Sequence, residues 1–409
     1  MKRHVAFLLS LLIGAGSAFA QSGETINQLS PGTALQGTEQ IPMYQGSNPA
    51  VTTTARALAT YIPTQFNTID ATQVSGADIC AKISAAAIAA AAKWPGGATI
   101  DARGFTGSNT CAGNMFANWP SSFKSRVLLG DVQITVSVSQ VVPTYTTLEG
   151  TLPQNDTDVG AAFVASGSFP TNTPLLDLGP SNPAFSIHVN HIGLNCSGIS
   201  GSIGLRNIYS QEQTVVDHIV IRGCYTGLLA DLTFGDTNLY TFLTMTDASN
   251  MTGSSYRCIQ VGQPSDTGSS NNHFTGEIAY VSCGAYTVTP MNYVLLDGFN
   301  FAVRHIYQEG NLASVAGINI GSQNAGGLQT SSVTIDNVAM TSAATAVRIG
   351  AGVAGPVNLF NISGGSTTLL NDTLSGGCVI PIAQETQLGF YARGYTGRII
   401  SNSSYCPKP

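Results

Sequence analysis

A short pattern of apolar and polar positions returns along the middle of the chain, from Ile187 to Ser363. Each copy has an apolar residue, any residue, a His or Asn, and a second apolar residue, as in Val189-Asn190-His191-Ile192. The clear copies have their marker at His191, His218, His305, Asn337 and Asn361, and two weaker copies have it at Thr241 and Glu277. The steps between markers are 27, 23, 36, 28, 32 and 24 residues. A variable period of this length, with β-branched residues and Gly-rich gaps, predicts a solenoid of short strands.

A second apolar phrase lies out of phase with the first. It predicts one inward and one outward column on a further strand, with the inward residues Leu205, Leu228, Ile259, Val294, Ile318 and Val347, and the outward residues Arg206, Leu229, Gln260, Leu295, Asn319 and Arg348. Each repeat therefore carries a strand, a corner at the marker, a second strand, a loop and a third strand. Three strands per coil predict an all-β fold, a parallel β-helix. Asn and His tolerate the left-handed backbone that such a corner needs, so the marker histidines are interpreted as structural.

This organisation resembles the right-handed β-helix of the pectate lyase-like superfamily over roughly residues 76–365. The resemblance implies an internal Asn ladder at the corner and a substrate groove on the outer face of the third strands. It concerns the fold, which hosts many activities. The polygalacturonase hallmarks Asn-Thr-Asp, paired Asp-Asp and Gly-His-Gly are absent from the sequence, and a pectate-lyase-type calcium cluster with a downstream Arg is not evident. The resemblance therefore does not predict polygalacturonase or pectate lyase activity for this chain.

The flanking segments predict the other domains. Residues 1–20 have a basic start, an apolar run and Ala18-Phe19-Ala20, which together predict a signal peptide and a secreted or periplasmic protein. Residues 21–62 resemble the small N-terminal module of phage tail-fibre and tailspike proteins, which implies a hairpin, a following helix and an oligomer, commonly a homotrimer. The alternative is a disordered exported leader. Residues 63–75 are interpreted as a linker and 366–409 as a C-terminal cap.

Local signals add further elements. The Ala-rich stretch Gly76–Lys93, with Asp78 placed to cap it, predicts an N-terminal capping helix. A strand with a turn is expected at Gly97–Gly104, and irregular first rungs at Val127–Leu129, Gln133–Val138 and Leu175–Leu178. Strands of the C-terminal cap are expected at Cys378–Ile382 and Gly397–Ile400.

The eight cysteines indicate disulfides, because an exported chain meets an oxidising compartment. Their connectivity is open in principle, since eight cysteines allow 105 pairings. Rung alignment favours Cys196–Cys224, which fall on adjacent rungs. The pairs Cys80–Cys111 and Cys378–Cys406 would close the two ends of the coil, which leaves Cys258 with Cys283. The chain has no Cys-x-x-Cys pair and its histidines are scattered, so neither a metal site nor another cofactor is predicted.

The amino-acid composition limits the classes of molecule that the chain is expected to bind. Charged residues make up 9% of the chain, the net charge is −6, and Lys and Arg do not cluster, so nucleic acid is not expected as a partner. No stretch after the first 20 residues is long and apolar enough to predict a membrane span. A surface with so little charge would meet a polysaccharide through Asn, Gln, Ser, Thr and aromatic side chains.

Four acids are candidates for catalysis. Asp231 and Asp297 align two rungs apart on the outer face of the third strands, a separation of about 9.6 Å that suits inverting glycosidases. Glu309 follows the second strand in a phrase that resembles phage depolymerase-like β-helices, and alignment places Glu277 one rung earlier, where the two carboxylates would form an acid/base pair. The alternative for each acid is a turn cap or an ion pair. The outward Arg206, Gln260, Asn319 and Arg348 are predicted to bind substrate.

These observations predict a secreted polysaccharide depolymerase that cleaves glycosidic bonds with paired carboxylates, most simply by hydrolysis. Two alternatives remain open. The same face suits a non-catalytic glycan-binding or surface-attachment protein, and a polysaccharide lyase would use the same fold.

Overall fold

The repeats stack as parallel strands in the computed structural model. The residues that the structure describes are 40–43, 51–54, 67–151, 160–179, 181, 183–231, 238–248, 250–251, 256–262, 275–285, 293–295, 298–310, 316–321, 330–340, 345–350, 353, 356–364, 368–372, 379–381 and 388–393. They belong to two compact units, Met1–Gln65 and Phe66–Pro409. The predicted signal peptide lies outside the described residues.

The first unit contains an antiparallel pair of strands, β1 (Gln40–Met43) and β2 (Val51–Thr54). This agrees with a hairpin in residues 21–62, whereas the helix expected after it lies outside the described residues. The tail-fibre resemblance and the trimer it implies stay predictions.

The second unit begins earlier than the sequence suggested. Residues 63–75 were expected to be a linker, but β3 (Thr68–Asp70) joins the edge of the main sheet and is followed by a 3₁₀ helix (Ala71–Gln73). Ile69 packs against the core, which explains why this polar stretch is ordered. The predicted helix is present as α1 (Ile79–Lys93), and the Asp78 side chain accepts the amide hydrogen of Ala81 at 2.8 Å, as expected of a cap.

The strands of the first rungs are β4 (Ala98–Ala102), β5 (Gly107–Cys111), β6 (Ser125–Leu129), β7 (Val132–Val136), β8 (Gln140–Val142), β9 (Thr146–Glu149), β10 (Ala162–Ala165) and β11 (Pro174–Leu178). The middle rungs have β12 (His188–Asn195), β13 (Ile203–Asn207), β14 (Val215–Arg222), β15 (Thr226–Ala230), β16 (Leu239–Thr246), β17 (Arg257–Val261), β18 (Gly276–Ala285) and β19 (Tyr293–Leu295). The last are β20 (Gly298–Gly310), β21 (Ala316–Ile320), β22 (Thr330–Met340), β23 (Thr345–Ile349), β24 (Val357–Gly364), β25 (Thr368–Asn371), β26 (Val379–Pro381) and β27 (Leu388–Arg393).

These strands form two sheets that wind around one apolar core. The longer strands, from β12 to β24, pair in parallel in a 15-stranded sheet, and the strands from β8 to β25 that follow each loop pair in a 10-stranded sheet. The result is an all-β parallel β-helix of about eight turns. Each long strand from β12 to β24 contains a non-glycine residue with positive φ, and five of these seven residues are the markers read as clear from the sequence.

The inward and outward columns of the shorter strands are mostly as predicted. Leu205 pairs with Leu228, and Leu228 with Ile259, and all three side chains are buried. The alignment of Val294 was wrong by one residue, because Ile259 pairs with Tyr293 while Val294 pairs with Gln260. The run Tyr293-Val294-Leu295 is apolar throughout and so carries no alternation to fix its register.

The parallel coil continues beyond the predicted limit at residue 365, since β25 pairs in parallel with β23. Two antiparallel strands then follow, with β26 on β25 and β27 on β24. The sequence predicted a strand near β26 but did not predict β27. The strand expected at Gly397–Ile400 lies outside the described residues.

Three of the expected disulfides are present. Cys80–Cys111, Cys196–Cys224 and Cys258–Cys283 have Cα atoms 5.4, 4.9 and 6.1 Å apart. The first joins α1 to β5, and the other two each join neighbouring coils. Cys378 and Cys406 lie outside the described residues, so their pairing stays a prediction.

Candidate functional site

A column of seven residues with positive φ runs along the outside of the long sheet. Strand register aligns its members, which are His191, His218, Phe242, Tyr280, His305, Asn337 and Asn361, with φ between 50° and 57°. The five markers read as clear from the sequence are confirmed. The two weaker ones were wrong, because the corner falls at Phe242 rather than Thr241 and at Tyr280 rather than Glu277.

The five rings of this column form a continuous stack, which we call the ring ladder (His191, His218, Phe242, Tyr280 and His305). Successive centroids are 4.8, 4.5, 4.8 and 4.5 Å apart, and the planes are inclined by 6° to 19°. Asn337 continues the column, with its Nδ2 3.5 Å from Nδ1 of His305. The resemblance implied a ladder inside the coil, and the sequence pattern suggested hydrogen bonds between its members. The observed ladder instead consists of partly exposed side chains, and ring stacking is its main contact.

The ring ladder is interpreted as a structural feature because each inner ring has both faces covered by the next. His218 in the ladder is also hydrogen-bonded, since its Nδ1 lies 2.7 Å from a carboxylate oxygen of Asp217. Burial alone would raise the pKa of Asp217, but hydrogen bonds from Thr241 and His218 outweigh burial and hold that pKa below its ordinary value. A sugar ring packs on an open aromatic face. The inner rings of the ladder have both faces covered, so they are not available for stacking with a sugar.

An open aromatic face is present one column further along the sheet. Tyr307 is 47% exposed, and its partners in register are the small residues Ser282 and Ala339. Its ring contacts no other aromatic ring among the residues that the structure describes. This contrasts with Phe242 and Tyr280, which are equally exposed but stacked.

A shallow, open depression begins next to Tyr307. It is lined by Asn337, Val338, Ala339, Asn361 and Ser363. Ala339 pairs in register with Tyr307 on one side and with Ser363 on the other, so the ring stands at one end of the depression. The Asn361 amide donates to Asp336 at 3.1 Å, and Ser363 donates to the Val338 carbonyl at 3.2 Å. The side chains of Asn337 and Asn361 are exposed. We call Tyr307 and this depression the Tyr307 face.

Glu309 lies on the same side of the sheet as Tyr307, two residues further along β20. Its side chain is exposed and makes no hydrogen bond or ion pair with any residue that the structure describes. The predicted pairing with Glu277 was wrong, because Glu309 aligns with Gly284, and Glu277 aligns with Ala302. The two carboxylates therefore lie seven positions apart along the strands, and Glu277 instead pairs with Arg304 at 3.6 Å.

The other predicted acid pair is not brought together either. Asp231 follows β15, in which every residue is buried, and is itself 1% exposed, so it does not lie on an open outer face. Asp297 lies outside the described residues. The one-residue shift of β19 also removes the alignment on which the separation of about 9.6 Å depended.

The outward side chains of the shorter strands are largely buried or paired with neighbouring residues. Arg206 forms a two-pronged ion pair with Asp177, at 3.0 and 2.6 Å, and this hydrogen bonding raises the pKa of Arg206. Gln260 is 5% exposed, accepts a hydrogen bond from Arg257 and donates one to the Gly262 carbonyl at 2.8 Å.

Asn319 is equally buried, and burial lowers the pKa of the half-buried Arg348. The substrate-binding roles of Arg206, Gln260, Asn319 and Arg348 stay predictions, but these side chains do not line an open groove in the described structure.

Tyr307 was not among the predicted site residues, although the sequence pattern indicates that it points outward. Ile306 and Gln308 point inward and are buried, so the alternation after the corner turns Tyr307 outward. An aromatic residue at an outward position among small neighbours is the pattern that would have identified it.

The described residues contain no group of His, Cys, Asp and Glu side chains arranged to hold a metal ion. Within the same part of the chain, none of the helices has both the length and the apolar character that crossing a bilayer requires. No protein-family model, curated protein or solved structure matches the chain.

Proposed function

We propose that the chain is a polysaccharide-binding β-helix protein that holds its ligand on the Tyr307 face. The observation that carries the proposal is the open ring of Tyr307, 47% exposed between Ser282 and Ala339. Such a ring offers a flat apolar surface to the C–H face of a sugar, and its hydroxyl supplies a polar tip. The amides of Asn337 and Asn361 beside it supply donors and acceptors for sugar hydroxyls.

The fold favours an extended ligand over a small molecule. The depression is shallow and open, whereas sites for small molecules are concave and bury most of the ligand. A solenoid presents similar surface on successive rungs, about 4.8 Å apart, and an extended chain is able to follow it. A parallel β-helix is compatible with polysaccharide-active proteins.

Depolymerase activity is the second candidate, with Glu309 as its acid. The observation in its favour is that Glu309 is exposed, free of partners among the described residues, and two positions from Tyr307 on the same face. A bond held against Tyr307 would lie within reach of this carboxyl group. No second acid among the described residues lies beside Glu309, so the geometry supports binding better than hydrolysis by paired carboxylates.

We also propose that the chain is exported, as residues 1–20 predict. The three disulfides support this proposal, because such bonds persist in extracellular and periplasmic compartments.

The experiment that tests the proposed function is co-sedimentation of the purified chain with a panel of neutral, acidic and amino-sugar polysaccharides. Free reducing ends and absorbance of unsaturated uronates are measured in the same samples. Binding without new ends supports the first candidate, and new reducing ends support hydrolysis. New ends with ultraviolet absorbance indicate a lyase, and neither binding nor cleavage across the panel contradicts the proposal.

A further inference from the structure

Acidic side chains outnumber basic ones on the four strands that carry the Tyr307 face. The four strands that build it, β18, β20, β22 and β24, contain the acids Glu277, Glu309 and Asp336 and one basic residue, Arg304. Counting Asp, Glu, Arg and Lys only, three negative charges and one positive charge give these four strands a formal charge of −2. The excess is local, because these strands are a small part of a chain whose net charge is −6.

The single positive charge is already paired. Nε of Arg304 lies 3.6 Å from Oε1 of Glu277, and both side chains are 42% exposed. Arg304 aligns with Asp336 on the next strand, but Asp336 takes its hydrogen bond from the neutral amide of Asn361. Asp336 and Glu309 therefore carry the uncompensated charge.

Both carboxylates belong to residues close in the chain to the Tyr307 face. Asp336 is adjacent to Asn337, and Glu309 lies two residues after Tyr307. The next Arg in the column of Glu309 is Arg222, which is three strands away by register. Three strand spacings are about 14 Å, longer than the screening length of about 8–10 Å at moderate salt, so Arg222 does not neutralise Glu309.

From this arrangement, and resting on the proposed function, we infer that the ligand of the Tyr307 face is a neutral polysaccharide, free of carboxylate and sulfate groups. An acidic sugar bound against Tyr307 would place its charge beside Asp336 or Glu309. Among the side chains that the structure describes, no unpaired Lys or Arg lies within screening distance of them. The described strands of this face carry no Arg or Lys clamp of the kind that recognition of anionic groups uses. Sugar hydroxyls, in contrast, suit both the amides and the carboxylates as hydrogen-bond partners.

The test takes a neutral polysaccharide that the chain binds and compares two derivatives of that same polymer. One carries carboxymethyl groups and the other carries neutral hydroxyethyl groups at the same degree of substitution, so only the charge differs. We expect the carboxymethyl form to bind roughly tenfold more weakly or worse at low salt, and the gap to close near 0.5 M salt, where screening is strong. Each of Asp336→Asn and Glu309→Gln should reduce the ratio of the two dissociation constants, that of the carboxymethyl form divided by that of the hydroxyethyl form.

Glu212→Gln is the matched control, since Glu212 is an exposed acid in the loop before β14, three strands from β20. It changes net charge by the same amount and should leave the ratio as in the wild type. Equal or tighter binding of the carboxymethyl form, or binding only to acidic members of the panel, would overturn the inference while leaving polysaccharide binding intact. A ratio that responds to Glu212→Gln as strongly as to Asp336→Asn would also overturn it. Failure to bind any polysaccharide would remove the proposed function and this inference with it.

Discussion

The ring of Tyr280 lies on the ring of His305, with centroids 4.5 Å apart and planes inclined by 6°. Both residues have a left-handed backbone, with φ of 55° and 53°, which bulky side chains rarely adopt. Stacking against the next rung fixes each ring and offsets part of the backbone strain. We therefore expect substitutions in the ring ladder to alter stability, and substitutions on the Tyr307 face to alter binding.

Tyr280→Asn should lower the free energy of unfolding by about 1–3 kcal/mol, the worth of two lost aromatic pairs. Asn tolerates the left-handed corner, as Asn337 and Asn361 do, so the substitution removes the ring without adding backbone strain. Urea denaturation measures the change. Tyr307→Asn is the control, because Tyr307 has similar exposure and no stacked neighbour among the described residues, and its effect should be smaller. Equal losses for the two variants would contradict a stabilising stack.

Much of the fold was predictable because inward residues leave a regular trace. Val189 and Ile192 flank His191 at positions −2 and +1, and both are fully buried. The same spacing around Tyr280, at Ile278 and Val281, marks its corner, whereas the weaker copy of the pattern has Glu277 at the marker position. Ring stacking accepts Phe and Tyr at the corner, so the side chain identity of the marker is less informative than its apolar flanks.

The site was less predictable, because a small register error moves a side chain far along the sheet. Placing the marker at Glu277 instead of Tyr280 shifted that strand by three residues and brought Glu277 artificially close to Glu309. Burial was also not readable at Asp231 and Gln260, where local sequence indicated an outward position but the structure covers the side chain.

Loss of the Asp217 carboxylate should change how stability depends on pH. The pKa of Asp217 is held below its ordinary value of 3.8, so the ionised group stabilises the fold above that pH, and this contribution disappears as pH falls through the lower folded value. The gap in melting temperature between wild type and Asp217→Asn should therefore be constant near neutrality and narrow below about pH 4. Asp131→Asn is the control, since it removes an exposed acid whose side chain makes no such hydrogen bond among the described residues. A gap that stays constant down to pH 2 for Asp217→Asn would contradict the assigned hydrogen bonds.

The terminal disulfide should matter more than a central one. Cys80–Cys111 spans 31 residues and Cys258–Cys283 spans 25, so their loop-closure terms differ by only about 0.2 kcal/mol. Middle rungs have neighbours on both sides, whereas α1 and β5 belong to the first rungs. Replacing both cysteines of the first pair with Ala should lower the melting temperature by more than the same change in the second pair. The reverse order would show that position along the coil does not decide the effect.

Glu309→Gln addresses the second candidate function. If Glu309 is the general acid, the release of reducing ends should fall about a hundredfold or more, while the melting temperature and polysaccharide retention change little. Glu277→Gln is the matched control, since Glu277 is paired with Arg304 and lies away from Glu309. Cleavage that is retained in Glu309→Gln and lost in Glu277→Gln would contradict Glu309 as the general acid. It would place the catalytic site at Glu277, on the other side of the ring ladder.

The most direct test of the central claim is the affinity of Tyr307→Ala for the polysaccharide that the wild type binds, measured by titration at fixed salt. Loss of a buried aromatic contact at a binding site commonly costs 2 kcal/mol or more, so we expect binding to weaken by roughly thirtyfold. Tyr307→Phe should retain most of the affinity because it keeps the ring. Tyr145→Ala removes a comparably exposed tyrosine at the start of an earlier rung and should bind as the wild type does. Wild-type affinity in Tyr307→Ala, with a normal melting temperature, would contradict the assignment of this face.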